Sequence, residues 1–256
     1  MSTLNVLDDT LTSYSVSKWK DLGNYWLYDV EQKEPDWKLV RKGRPSGSNC
    51  GYLLGHGNPN FGSKEDTLLE IAGKKVKIFT EQQLDNMKFG ETIEPIAREW
   101  YEKTRNVKVN ELGFVVPKWD PNIGVSVDGV VLTWDNQLKK YIENDGMIEI
   151  KGPKRMYRPL EEYIQKQTAG YTTPNDYSHI WTTHYDQMQL GMAILGKKWC
   201  DYVVFCSPEN KTFVQRIPFN QHYWNELMYN PLKQIIEEEL KPLLIGTPYP
   251  LMPKNE

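Results

Sequence analysis

The sequence predicts an α/β (α+β) architecture, a mixed central β-sheet flanked by helices. Three observations carry this reading. Apolar residues recur at helical spacing over 80–105 and 185–198. Over 107–151 the period changes to two, the mark of strands with alternating faces. Two more strand-like runs, "WCDYVVFCSP" and "KTFVQRIPF", follow the second of these helices, so strands return after a helical crossover.

Taken in order, "SYSVSKWKDLGNYWLYD" (13–29) reads as a helix rich in aromatics, and "DWKLVRKG" (36–43) as a short helix ended by glycine. "RPSGSNCGYLLG" turns into another helix with Ser46 or Ser48 as its cap. Residues 55–75, glycine-rich and polar at first, read as a surface loop beside a site. The 80–105 helix is expected to be interrupted near Gly90 and to bury Ile93, Ile96, Ala97 and Trp100. "VKVNELGFVVP", "IGVSVDGVVLTW" and "MIEIKGP" form an antiparallel meander punctuated by "WDPN", "WDN" and "NDG" turns. "YDQMQLGMAILGKK" is an amphipathic helix, and "NQHYWNELMYNPLKQIIEEELKPLL" closes the chain as a helix bent at Pro231. Residues 165–180 receive no element. The 256 residues read as one domain, with a helical N-terminal region to about residue 60 and a C-terminal helix over about 220–245.

With 39% hydrophobic and 25% charged residues, the chain can bury a sizeable core. Its formal net charge of −3 excludes an indiscriminately basic nucleic-acid binder, so any polyanion site has to be a local patch. Cys50, Cys200 and Cys206, with His56, His179, His184 and His222, make no C-x-x-C or H-E-x-x-H pattern, which argues against zinc. No apolar run approaches the roughly 18 residues of a membrane span. "MSTLNVLDDT" lacks a basic then apolar leader, so the protein is expected to be intracellular with no membrane contact.

The informative stretch is "GMIEIKGP" (146–153). In a strand, Glu149 and Lys151 share one face while Ile148 and Ile150 share the other. By the same alternation Ser126 and Asp128 share a face of "VSVDG". Two carboxylates converging beside a lysine repel one another and lose hydration unless a cation relieves them. A hard divalent ion does so: magnesium accepts carboxylates, keeps several waters and polarises phosphate oxygens. Other candidates have plainer readings when taken singly. Arg41 closes a short helix, Glu94 pairs with Arg98 one turn on, Gln187 is a polar residue on an amphipathic helix, and Lys154, Arg155 and Arg158 form a solvated charge run.

In company these motifs resemble a family. "VSVDG" followed by "IEIKGP" resembles the paired motifs of the PD-(D/E)XK nucleases. "DWKLVRKGRPSGS", "GETIEPIAREWYE" and "DQMQLGM" resemble the flanking motifs of the branch that includes phage lambda exonuclease and the YqaJ-type viral recombinases. The resemblance spans about residues 36–206 and implies a restriction-endonuclease-like core. It implies metal ligation by Asp128, Glu149 and the backbone carbonyl of Ile150, with Mg2+, or Mn2+ in its place, as cofactor. Lys151 becomes the catalytic lysine, Glu94 a helix carboxylate beside the metal, and Gln187 a support for the site. Arg41, Ser48 and Ser126 match the residues that hold a terminal 5′-phosphate.

The implied activity is degradation of duplex DNA from the 5′ end to leave 3′ single strand, in phage or viral recombination. Duplex DNA ends are the implied substrate, a single-strand annealing protein the implied partner, and a ring-shaped homotrimer the implied assembly. The compartment is then the host cytoplasm for a phage protein. The alternatives are an endonuclease or RNA-cleaving nuclease of the same fold, or a catalytically silent DNA-end-binding protein. Two departures stand out: a longer insertion, "GVVLTWDNQLKKYIENDG", with room for an extra hairpin, and His184 where relatives carry tyrosine.

Overall fold

A computed structural model describes residues 18–32, 34–169 and 177–246. The chain enters as a hairpin of β1 (Trp19–Asp21) and β2 (Tyr25–Tyr28), turning at Gly23 with φ of 83°. This corrects the helix expected over 13–29, of which 13–17 lie outside the described residues. Aromatic side chains favour the pleated surface of a strand, and the rings of Trp19 and Tyr28 meet at 4.9 Å across the pair. β2 then pairs antiparallel with β4 (Phe114–Pro117), completing a three-stranded sheet around Val40, Phe114 and Val116.

Four helices follow the hairpin: α1 (Pro35–Val40), α2 (Gly47–Leu53), α3 (Lys64–Ile71) and α4 (Glu81–Arg105). α3 lies inside the stretch expected as loop. Ser63 starts it by accepting from the Asp66 N–H at 3.0 Å. α4 runs unbroken through Gly90, and of the four apolar positions expected on its buried face, Ile96 is exposed.

The main sheet has five strands in the order β3 (Lys108–Asn110), β5 (Gly129–Asp135), β6 (Lys140–Lys151), β7 (Trp199–Cys206) and β8 (Lys211–Pro218). The expected meander is therefore broken, because β4 belongs to the other sheet. The strand expected from Ile123 starts only at Gly129 and is preceded by a single bridge, Val115 to Val125. The inserted residues build no extra hairpin: they lengthen β5 and β6 themselves, and Asp135 caps the tip by accepting from the Gln137 and Leu138 N–H groups.

β6 and β7 are parallel, which requires a crossover; α5 (Leu160–Thr168) and α6 (Thr182–Leu195) lie in it. The two faces of β6 serve different layers. Ile148 and Ile150 pack with Ala97 and Tyr101 of α4, whereas Met147 joins the larger core with Met188, Leu190 and Met192 of α6. The chain closes with a helical run through Pro231, π-helical over Tyr223–Tyr229 and Ile236–Leu240. Among the described residues, no helix is long and apolar enough to cross a membrane.

Candidate active site at the β5–β6 end

Gly129 pairs with Ile148, and continuing that register one step sets Asp128 opposite Glu149. Like charges directly across a strand pair are unfavourable, and here they are also withdrawn from water: Glu149 is 1% exposed and Asp128 partly buried. Asp128 Oδ2 accepts the Ile150 N–H at 2.6 Å. In an antiparallel pair a residue's N–H and C=O face the same neighbour, so the Ile150 carbonyl is directed to the same side. Lys151 Nζ donates to Glu149 Oε1 at 2.5 Å and reaches Gln187 Oε1 on α6 at 3.4 Å. The other carboxylate oxygen, Glu149 Oε2, is buried with no hydrogen-bond partner.

The electrostatics follow from this crowding. Burial, then the charge of Glu149, pushes Asp128 well above the usual carboxylate range. Burial also raises Glu149, against the pull of Lys151. For Lys151 burial opposes the charged form, but the Glu149 and Asp128 carboxylates outweigh it and hold the ammonium above its ordinary value. Glu94 on α4 is engaged by Arg98 at 2.9 Å, and its charge also raises both carboxylates.

This donor set fits a hard divalent cation. Two carboxylates raised chiefly by burial, one with an orphaned buried oxygen, and an adjacent carbonyl are the oxygen ligands such an ion takes. Among the described residues no group of three or more His, Cys, Asp or Glu side chains gathers into a metal cluster. Magnesium is commonly held by only one or two carboxylates, with waters and phosphate oxygens completing its shell.

A second cluster lies alongside. Arg41, at the end of α1, donates through Nη2 to Ser46 Oγ at 2.9 Å and Ser48 Oγ at 2.8 Å. Its guanidinium lies over the Trp37 ring at 4.1 Å, and Trp37 Nε1 donates to Ser126 Oγ at 2.7 Å. Burial lowers Arg41 to about 10. Arg41 also borders a recess of about 200 Å3 with Lys38, Lys42, Asn49 and Glu70. α2 connects the two clusters: a Cβ on Gly47 would stand 2.9 Å from the Gln187 side chain, so glycine lets α2 seat its start against the residue that meets Lys151.

Asp128, Glu149, Ile150, Lys151 and Gln187 thus fall into one cluster and Arg41, Ser48 and Ser126 into an adjoining one, while Glu94 is engaged by Arg98 and acts on the carboxylates through its charge. Of the two cap candidates, Ser46 takes the position, with Asn49 Oδ1 accepting its N–H at 2.7 Å, and Ser48 lies inside α2. The roles of Trp37 and Ser46 toward Arg41 went unassigned in the sequence, although Trp37 and Arg41 stand one helical turn apart. Also unforeseen is a hydroxyl and imidazole chain beside Lys151: Tyr157 Oη meets Tyr202 Oη at 3.0 Å, and His184 Nδ1 meets the same Tyr202 oxygen at 3.0 Å. His184 is lowered well below its ordinary value by burial and then by the charge of Lys151. Of the three cations after Lys151, Lys154 is bonded to Asp85 and Arg158 to Glu162.

Comparisons with known proteins bear on the fold and on the family. The crystal structure of an alkaline exonuclease, LHK-Exo, from Laribacter hongkongensis superposes with a TM-score of 0.55 at 21% identity, covering 83% of this chain and 97% of that one. The same exonuclease in complex with dAMP gives 0.52 at 22% identity, covering 83% and 92%. At such identities the likeness establishes a shared fold, a mixed sheet between helices of the nuclease type. No curated protein matches the sequence. A family model, the YqaJ-like viral recombinase domain, matches residues 36–198, well over half of the chain, from α1 through α6. The chain belongs to the YqaJ-like viral recombinase domain family.

Proposed function

We propose that the protein is a magnesium-dependent exonuclease that degrades one strand of duplex DNA from its 5′ end. The observation that carries this is the Asp128–Glu149–Lys151 cluster, in which two buried carboxylates are held above the usual range and one keeps an oxygen without a hydrogen-bond partner, an arrangement that a bound divalent cation would relieve. Asp128, Glu149 and the Ile150 carbonyl would hold the ion. Magnesium, or manganese in its place, supplies charge neutralisation at the scissile phosphate and acidifies the attacking water.

The chain's own residues do the rest. Lys151, kept charged by Glu149, donates to the phosphate oxygens as negative charge builds on them, and Gln187 and Glu149 fix its position. Water attacks phosphorus, the P–O3′ bond breaks, and O3′ leaves as a hydroxyl on the released mononucleotide. The shortened strand then carries a new 5′-phosphate. Arg41 with Ser48 and Ser126 receives that group: a guanidinium pre-oriented on Trp37 and flanked by hydroxyls suits a phosphate dianion. Each cut therefore regenerates the end that the Arg41 cluster recognises. Support from likeness is consistent, since LHK-Exo has been crystallised with a 5′-mononucleotide, dAMP.

The test uses matched linear duplexes labelled at either end, with and without a 5′-phosphate, in magnesium or in chelator. Mononucleotide release from the 5′ label first, faster for phosphorylated ends and absent in chelator, is expected. Internal cutting of circular DNA would instead make it an endonuclease, and binding of ends without any product would make it a silent end-binding protein. An annealing partner and a trimeric ring, both suggested by family resemblance, are tested by co-purification and by the mass of the particle in solution.

A further inference from the structure

A cavity of about 740 Å3 opens at the residue after Lys151. Gly152 forms part of its wall, Gln82 and Asn86 of α4 another, and the 154–157 loop with Lys154, Arg155 and Tyr157 a third. The volume lies within the ~300–1,000 Å3 that small-molecule sites occupy. Nothing so far assigns these residues a role.

The walls are built to stay in place. A Cβ on Gly152 would stand 2.8 Å from Ile93 Cγ2, so glycine lets the loop lie directly on α4. Lys154 spans the gap, bonded to Asp85 and placed over the Phe89 ring at 5.6 Å. Tyr157 ties the far end of the loop to β7 through Tyr202. The chemistry of the lining is mixed in an informative way. Two exposed cations suit a phosphodiester, while Gln82 and Asn86, one helical turn apart, present carboxamides. A carboxamide carries donors and an acceptor together, so it meets the edge of any base without choosing among them.

We propose that this cavity seats the nucleotide immediately 3′ of the scissile phosphate, the first residue of the strand retained after each cut. The strand has to pass Glu149 and Lys151 to be cleaved, the Arg41 cluster reaches that pair through Gly47 and Gln187, and the cavity begins where Lys151 ends. Lys154 and Arg155 face the backbone of the seated nucleotide, and Gln82 and Asn86 its base. This assignment rests on the exonuclease reading above and deepens it.

The experiment crosses a substrate change with a protein change. 5′-Phosphorylated duplexes are prepared with either a normal nucleotide or an abasic tetrahydrofuran residue at the second position of the digested strand. Release of the first mononucleotide is timed for wild type, for Gln82→Ala/Asn86→Ala and for Arg155→Ala, with thermal midpoints measured as a folding control. Wild type should lose about tenfold in kcat/KM on the abasic substrate, the scale of one net hydrogen bond or slightly more. The double variant should show that loss already on normal DNA and no further loss on the abasic duplex, while Arg155→Ala should raise KM on both substrates alike. An abasic penalty that persists undiminished in the double variant, with wild type digesting normal duplex, overturns the cavity assignment alone. Absence of any digestion by wild type in magnesium overturns the exonuclease reading and this assignment with it.

Discussion

Lys151 is held above its ordinary value by two carboxylates that outweigh its burial, so it is charged across the range in which enzymes work. A charged lysine donates; it does not accept the proton of the attacking water. Lys151→Ala is therefore expected to lower single-turnover cleavage by about 10²–10³-fold, the cost of one main electrostatic element, and to leave DNA binding measurable in calcium. Glu149→Gln should lose at least as much, since it removes an oxygen donor to the ion together with the partner of Lys151. Near wild-type turnover in either variant at saturating magnesium removes that residue from the site. Arg41 makes a separate prediction. Arg41→Ala should slow digestion of 5′-phosphorylated ends strongly and scarcely change that of 5′-hydroxyl ends, and Arg41→Lys should restore only part, because an ammonium lacks the fork that lies on Trp37. An unchanged ratio between the two ends in Arg41→Ala would detach Arg41 from phosphate recognition. How much of this was legible divides by sequence distance. Asp128 and Glu149 meet across a hairpin, whose register follows from local pairing. The Trp37–Ser126 bond joins residues 89 apart, and the Tyr157–Tyr202–His184 chain draws on a loop, a strand and a helix. No local period announces such contacts.

Among the elements, the misreadings have physical causes that the sequence did contain. Trp19, Tyr25, Trp26 and Tyr28 are strand formers around a Gly-Asn turn, yet their density invited a helix. "SKED" at 63–66 is a cap signature followed by helix, overlooked within a glycine-rich stretch. Gly90 did not break α4, because glycine in a helix interior costs only roughly 1 kcal/mol and the helix runs unbroken on both sides of it; the glycine that packing does require is Gly152, where a Cβ would stand 2.8 Å from Ile93 Cγ2. Gly152 lets the loop after β6 lie against the helix. Gly152→Ala is accordingly expected to destabilise by about 1–3 kcal/mol, the range for inserting a methyl into packed space, and to reduce cleavage by displacing Lys151 and the loop. Ile93→Ala removes the Cγ2 that the new methyl meets, so Gly152→Ala in that background should cost less than in wild type. Urea unfolding of the four proteins measures the coupling, and simple additivity would show that the close approach at Ile93 is not what excludes a side chain.

At the level of the whole molecule, a chain with net charge −3 gains no general attraction to DNA, and in the proposed reading its buried carboxylate pair is a stored instability that a bound ion would relieve. The consequence is measurable without any activity. Asp128 and Glu149 are both raised above ordinary carboxylate values, chiefly by burial. Between the unfolded values of about 4 and the raised folded ones, the folded state therefore binds more protons than the unfolded state, and stability falls as pH rises. Lys151 works outside this window: its raised value adds stability that is fully present below its unfolded value of about 10.4 and is lost only at higher pH. In chelator, the contribution of the pair to the thermal midpoint should decline as pH rises above the unfolded carboxylate values, and Asp128→Asn should flatten that decline by removing one of the two buried charges. In the proposed reading magnesium would bind the ionised pair and not the protonated one, so its stabilising shift should be larger at about pH 8 than at about pH 5. The same shift should be largely lost in Asp128→Asn. Thermal denaturation of wild type and variant, each in chelator and in magnesium at both pH values, supplies all the terms. A magnesium shift of equal size in the two proteins would place the ion elsewhere, and a shift that shrinks as pH rises would contradict the charge state on which the whole site is argued.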